Sequence, residues 1–70
     1  MSDVELQKQN LAAQIRDMLK RVPAKVNSGS VQMARDFKRF HSSATKTLEK
    51  SRTTLTDIQG LFNQTLSWYR

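Results

Sequence analysis

The chain has 70 residues, of which 37% are hydrophobic and 26% are charged, so we expect one small domain over residues 1–70. It contains no cysteine and one histidine, which excludes disulfides, cysteine-based zinc sites and multi-histidine metal sites. Twelve Lys+Arg residues against six Asp+Glu residues make the formal net charge +6, which favours an acidic partner.

The first predicted element is a helix over residues 2–22. No Gly or Pro interrupts this stretch, and Ser2 and Glu5 have the spacing of a capping box. Its apolar residues recur at steps of three, four and seven, as on one face of a helix. They are Val4, Leu11, Ile15, Met18 and Val22.

A loop is predicted over residues 23–30, with the sequence PAKVNSGS. Pro23 restricts the residue before it away from helical geometry, and Gly, Asn and Ser are typical of connections. Ser28 or Ser30 is placed to cap the helix that follows.

The second predicted helix covers residues 31–69 without a break. Placed at about 100° per residue, its apolar residues fall within a sector about 80° wide, in the phase of one straight helix. They are Met33, Phe37, Phe40, Ala44, Leu48, Leu55, Ile58, Phe62, Leu66 and Tyr69, with Ser51 in the remaining place. This helix would be about 58 Å long, and the first helix would cover only about half of it.

The predicted fold is therefore all-α: a helical hairpin whose long second helix is covered by another chain. The alternative is a three-helix bundle with a break near residues 51–54. The phase of the apolar stripe and the absence of Gly and Pro favour the continuous helix. The Ser and Thr residues of this segment and the capping-box spacing of Thr54 and Asp57 favour the break.

The residues do not predict an enzyme, and no catalytic, cofactor or metal site is expected. His41 lies beside Ser42 and Ser43, but adjacent residues on a helix point in different directions, and no acid is placed to orient the imidazole. No apolar run approaches the roughly 20 residues that cross a bilayer, and the N-terminus lacks the pattern of a secretory signal. We therefore expect a cytoplasmic protein for which a membrane partner is disfavoured.

The basic residues are concentrated in one segment. Residues 20–52 contain nine basic residues against two acidic ones. Four of them share a sector of about 60° on the second helix, almost opposite its apolar stripe. These four, called here the basic ridge, are Arg35, Arg39, Lys46 and Lys50.

The functional prediction is a non-enzymatic protein–protein interaction module, an adaptor or chaperone-like subunit that forms homo- or hetero-oligomers through amphipathic helices. Buried aromatic and aliphatic residues contribute most to such interfaces. The predicted partner-binding residues are Leu55, Ile58, Leu61, Phe62, Leu66, Trp68 and Tyr69. The alternative is a small basic factor that binds nucleic acid or another acidic surface through the basic ridge.

Overall fold

The computed structural model describes residues 3–70, and their regular elements are three helices. Helix α1 spans Asp3–Asn27, α2 spans Val31–Glu49 and α3 spans Leu55–Tyr69. No strand occurs within residues 3–70, so the all-α prediction is confirmed. Ser2, the predicted cap of the first helix, lies outside the described residues.

Helix α1 continues through Pro23, so the predicted helix end at this residue and the predicted loop over residues 23–30 are wrong. Proline has no N–H, which leaves the carbonyl oxygen of Leu19 without its usual donor four residues later. The helix continues because Val22 and Val26 lie one turn apart on the same face, and both are buried in the core. Burial of this apolar face outweighs the local preference of the residue before proline.

A short connection over residues 28–30 joins α1 to α2. The Ser28 hydroxyl donates to the carbonyl oxygen of Lys25 at 2.8 Å, which satisfies one acceptor at the end of α1. The hydroxyl oxygen of Ser30 accepts a hydrogen bond from the backbone N–H of Met33 at 3.1 Å. Of the two predicted caps, Ser30 is therefore the one that begins α2.

The predicted continuous helix over residues 31–69 is divided in the structure, so that prediction is wrong. The break predicted as the alternative is present, and α3 begins with the predicted capping box. The Asp57 N–H donates to the Thr54 hydroxyl at 3.2 Å, and the Thr54 N–H donates to the Asp57 carboxylate at 3.3 Å. These bonds satisfy two backbone donors that the start of a helix otherwise leaves unpaired.

Thr53 ends α2 without the help of Gly or Pro. Its hydroxyl lies 2.5 Å from the carbonyl oxygen of Thr47 and 2.9 Å from that of Lys50, and the residue is buried. Carbonyl groups in the last turn of a helix have no helical donor, and a threonine hydroxyl supplies one. The Thr53 N–H also donates to the Lys50 carbonyl oxygen at 3.3 Å, which closes a turn.

The three helices alternate in direction. The Lys25 ammonium donates to the carbonyl oxygen of Tyr69 at 3.1 Å, so α1 and α3 end side by side. The ring of Phe37, in the first half of α2, lies 5.6 Å from that of Trp68 at the end of α3. Helix α2 therefore runs opposite to α3, and α3 packs more extensively against α1 than against α2.

The core is formed by one cluster of buried side chains from all three helices. Residues one or two turns apart on α1 contribute the largest share, because apolar residues at these spacings share a helix face. The cluster consists of Ile15, Leu19, Val22, Val26, Phe37, Ala44 and Ile58. The hydroxyl of the fully buried Thr65 donates to the carbonyl oxygen of Leu61 at 2.7 Å, so this polar group is satisfied inside the protein.

Replacing Ile15 by alanine tests this core. The side chain has no solvent exposure, so Ile15→Ala is expected to lower the free energy of unfolding by about 2–5 kcal/mol. Urea unfolding followed by circular dichroism at 222 nm measures the loss. Leu6→Ala is the control: Leu6 is 58% exposed, and its removal should change stability by no more than about 0.5 kcal/mol. Equal effects of the two substitutions would contradict the described core.

Candidate partner-binding surfaces

Helix α3 carries three rows of inward or half-buried side chains, whose neighbouring members lie four or seven residues apart. The middle row is Ile58 and Thr65, both buried, and it faces the core. A second row, Leu61 and Trp68, is half-buried and packs against the core cluster. Seven residues are almost two helical turns, so each row runs nearly along the helix axis.

The third row lies on the opposite side of the middle row and is called here the outer strip. It consists of Leu55, Phe62 and Leu66, which share an arc of about 40° at 100° per residue. All three side chains are half-buried. Within the described residues, Phe62 packs against the core cluster, whereas Leu55 and Leu66 are not among the side chains that do so. The outer strip is thus a half-buried apolar surface of α3, of which Phe62 packs on the core cluster.

Trp68 is held by aromatic rings of α2. Its ring stacks on that of Phe40 at 6.2 Å between centroids, with 26° between the planes, and meets Phe37 edge-on. The imidazole of His41 also meets the Phe37 ring edge-on, at 5.8 Å between centroids. This arrangement places Trp68 in contacts within the chain and gives exposed His41 a packing role beside Phe37.

Tyr69 is 42% exposed and lies against the last turns of α1. Its carbonyl oxygen accepts the hydrogen bond from Lys25 described above. The pKa of the Arg21 guanidinium is raised above its usual value, mainly by a hydrogen bond with the Tyr69 side chain. The carboxylate of Asp17, which lies 3.1 Å from the guanidinium, contributes the next largest effect. The C-terminal end of α3 is therefore tied to α1 by polar contacts as well as by packing.

The predicted partner-binding residues do not form one continuous surface. Ile58 is buried, Leu61 and Trp68 pack inward, and the outer strip and Tyr69 remain on the outside. The sequence pattern did not show which side of α3 faces the core. The fully buried Thr65 was missed, because a threonine gives no apolar signal; its spacing of seven from Ile58 is the only indication in the sequence.

A groove of about 300 Å³ lies between α1 and α3. Its lining contains no charged group, although the chain carries a net charge of +6. The lining consists of Leu11 and the amide side chains Gln7, Asn10, Gln14 and Gln59. Amides accept and donate hydrogen bonds equally well, so this groove neither repels nor selects a charged partner.

Three residues of the basic ridge, Arg35, Arg39 and Lys46, lie on α2 as predicted, whereas Lys50 follows the end of the helix at Glu49. Arg35, Arg39, Lys46 and Lys50 are all exposed, and among the described residues none of them has an ion-pair partner. Phe37 and Ala44 are buried on the opposite face of the same helix. The ridge therefore presents three unpaired positive charges along α2 and a fourth, Lys50, in the turn that follows it.

Other chemistry is sparse in the part of the chain that the structure describes. Residues 3–70 contain no group of three His, Cys, Asp or Glu side chains placed to hold a metal ion. Among the same residues, no helix combines the length and the apolar character that crossing a bilayer requires.

Comparisons with protein-family models, with curated proteins and with solved structures each give no match. The functional argument therefore depends on the surfaces described above.

The stacking of Phe40 on Trp68 is tested by Phe40→Leu, which keeps an apolar side chain and removes the ring. We expect a loss of about 0.5–1.5 kcal/mol in stability, the usual worth of an aromatic pair beyond its buried area. Trp68 is the only tryptophan, so its emission should shift to longer wavelength as the ring gains contact with water. Val31→Leu, at an exposed position, is the control and should leave both quantities unchanged. Unaltered emission in Phe40→Leu would show that the two rings do not pack.

Proposed function

We propose that this protein is a non-enzymatic protein–protein interaction module that binds an apolar helix of a partner, either a second copy or another protein, through the outer strip of α3. The observation that carries the proposal is that Leu55 and Leu66 stay outside the core packing on a helix whose middle row is fully buried. Apolar residues four and seven apart on one helix face form a ridge against which a second helix can pack.

The adjoining groove supports this proposal. Its uncharged lining between α1 and α3 lets another chain approach without burying unpaired charge, which is costly at an interface. For a chain of net charge +6, an uncharged face is also the place where a second copy meets least repulsion.

Leu66→Asp tests the outer strip. A carboxylate placed in the strip must be desolvated on binding, so the assembly is expected to dissociate to the 8.1 kDa of a single chain in light scattering. Ser67→Asp is the matched control, because it adds the same charge at the next, exposed position of α3 and should leave the assembly intact. Circular dichroism confirms that both variants remain helical.

Phe62→Asp is the second variant, and it too should abolish assembly. Because Phe62 also packs on the core, only a folded variant is informative, and Leu66→Asp remains the primary test. Assembly that survives Leu66→Asp as well as it survives Ser67→Asp would show that the partner binds elsewhere.

The exposed, unpaired basic ridge favours a second candidate function, non-specific binding to the phosphate backbone of a nucleic acid. No Asn or Gln lies among the four basic residues to contact base edges, so sequence specificity is not expected. The five aromatic residues of the chain lie outside the ridge, so stacking on single strands is not expected either.

Arg39→Glu combined with Lys46→Glu tests the ridge by fluorescence anisotropy with labelled duplex DNA. With four phosphate contacts, wild-type affinity should fall about 10²-fold between roughly 50 and 200 mM salt, and the double variant should not bind measurably. Arg16→Glu combined with Lys20→Glu makes the same change in charge at exposed residues of α1 and is the control. Equal losses in the two double variants would mean that only net charge matters and that the ridge is not a site.

A further inference from the structure

We propose that the chain also forms a domain-swapped dimer, in which the turn over residues 50–54 straightens and each α3 packs on the α1 of the partner copy. The swapped interface is the α1–α3 core contact, not the outer strip, so this proposal does not depend on the preceding one. The partner is a second copy of the same chain because it alone supplies the identical core surface.

The turn is able to become helical. It contains neither Gly nor Pro, and no described residue has a positive φ angle. Lys50 and Thr54, which bound the turn, already have φ angles of −72° and −85°. Their ψ angles of 128° and 163° are what depart from a helix, whose ψ angle is about −42°. Straightening at these two residues therefore requires a rotation about ψ only, and neither residue has to leave or enter the left-handed region of positive φ.

The apolar pattern supports the straight form. When residues 31–69 are placed on one helix, Leu48, Leu55 and Phe62 remain on one stripe across the turn, with Ser51 in line between them. Two independent helices separated by a turn need not keep their apolar residues on one continuous stripe. A continuous α2–α3 helix would therefore keep one uninterrupted apolar face.

The contacts of α3 are of a kind that a second chain reproduces. Ile58 and Thr65 are buried through packing against other helices, and α3 packs mainly on α1. The closed form alone has the hydrogen bonds of the Thr53 hydroxyl and the Thr54–Asp57 capping box. These bonds are exchanged for helical backbone hydrogen bonds when the turn straightens.

Two substitutions in the turn shift the equilibrium in opposite directions. Thr54→Ala removes the cap from the closed form only. The loss of one cap changes the equilibrium constant between the closed and the straightened turn about five-fold. Because a dimer straightens two turns, the dimerisation constant should rise about 25-fold. Ser51→Pro does the reverse: the extended Lys50 is the geometry required before proline, and proline in the middle of a helix is strongly disfavoured.

The experiment is sedimentation equilibrium of the whole chain from micromolar to millimolar concentration. Thr45→Ala is the control for Thr54→Ala, because the Thr45 hydroxyl bonds to the His41 carbonyl oxygen within α2 in either form. Ser51→Ala is the control for Ser51→Pro. The expected result is a species of twice 8.1 kDa that is enriched in Thr54→Ala, absent in Ser51→Pro, unchanged in Thr45→Ala and at least as abundant in Ser51→Ala as in the wild type.

A dimer that forms equally in Ser51→Pro, or the absence of a dimer in both the wild type and Thr54→Ala at millimolar concentration, would overturn the proposal. The swapped dimer should persist in Leu66→Asp, whereas an assembly through the outer strip is lost there and persists in Ser51→Pro. Failure of one proposal is therefore distinguishable from failure of the other.

Discussion

The buried hydroxyl of Thr53 is the contact on which the arrangement of the C-terminal half depends. It lies within hydrogen-bond distance of two carbonyl oxygens at the end of α2 and so stops the helix where the apolar pattern would continue it. Once α2 has stopped, the capping box of Thr54 and Asp57 starts α3 in a new direction. The row of Ile58 and Thr65 then reaches α1, and Trp68 returns to the rings near the start of α2. A few side-chain hydrogen bonds thus direct a much larger apolar contact.

The parts of this fold that were predictable from the sequence are those fixed by local chemistry. The helical periods, the cap at Ser30 and the capping box of Thr54 and Asp57 depend on residues within one turn of each other. The continuation through Pro23 was not predictable, because a local penalty competes there with burial of Val26, and only the folded core shows which is larger. The break was predicted only as an alternative for the same reason, since phase and polar composition pointed in opposite directions.

The candidate surfaces also include features that were predictable from the sequence and features that were not. Arg35, Arg39 and Lys46 lie on the exposed face of α2 as predicted, because opposite faces of one amphipathic helix follow from spacing alone. Lys50 does not share that helix, because α2 ends at Glu49. The orientation of α3 was not predicted, because the side of a helix that faces the core depends on the helices packed against it. Packing on α1 turns Ile58 and Thr65 inward and moves Phe62 and Leu66 to the flank, although the apolar stripe over residues 31–69 is centred closer to Phe62. This rotation is the reason the outer strip exists.

The basic residues and the uncharged groove occupy different parts of this molecule, and this separation affects what each part can bind. Nine basic residues lie within residues 20–52, yet the groove between α1 and α3 is lined by amides and Leu11 alone. Two copies of a chain with net charge +6 repel one another over distances of about 10 Å at 0.1 M salt, so association is easiest where no charge has to be buried. No residue of the basic ridge and no residue of α2 lines the groove. An acidic molecule bound to the ridge would lower the repulsion between two copies and would leave the groove open.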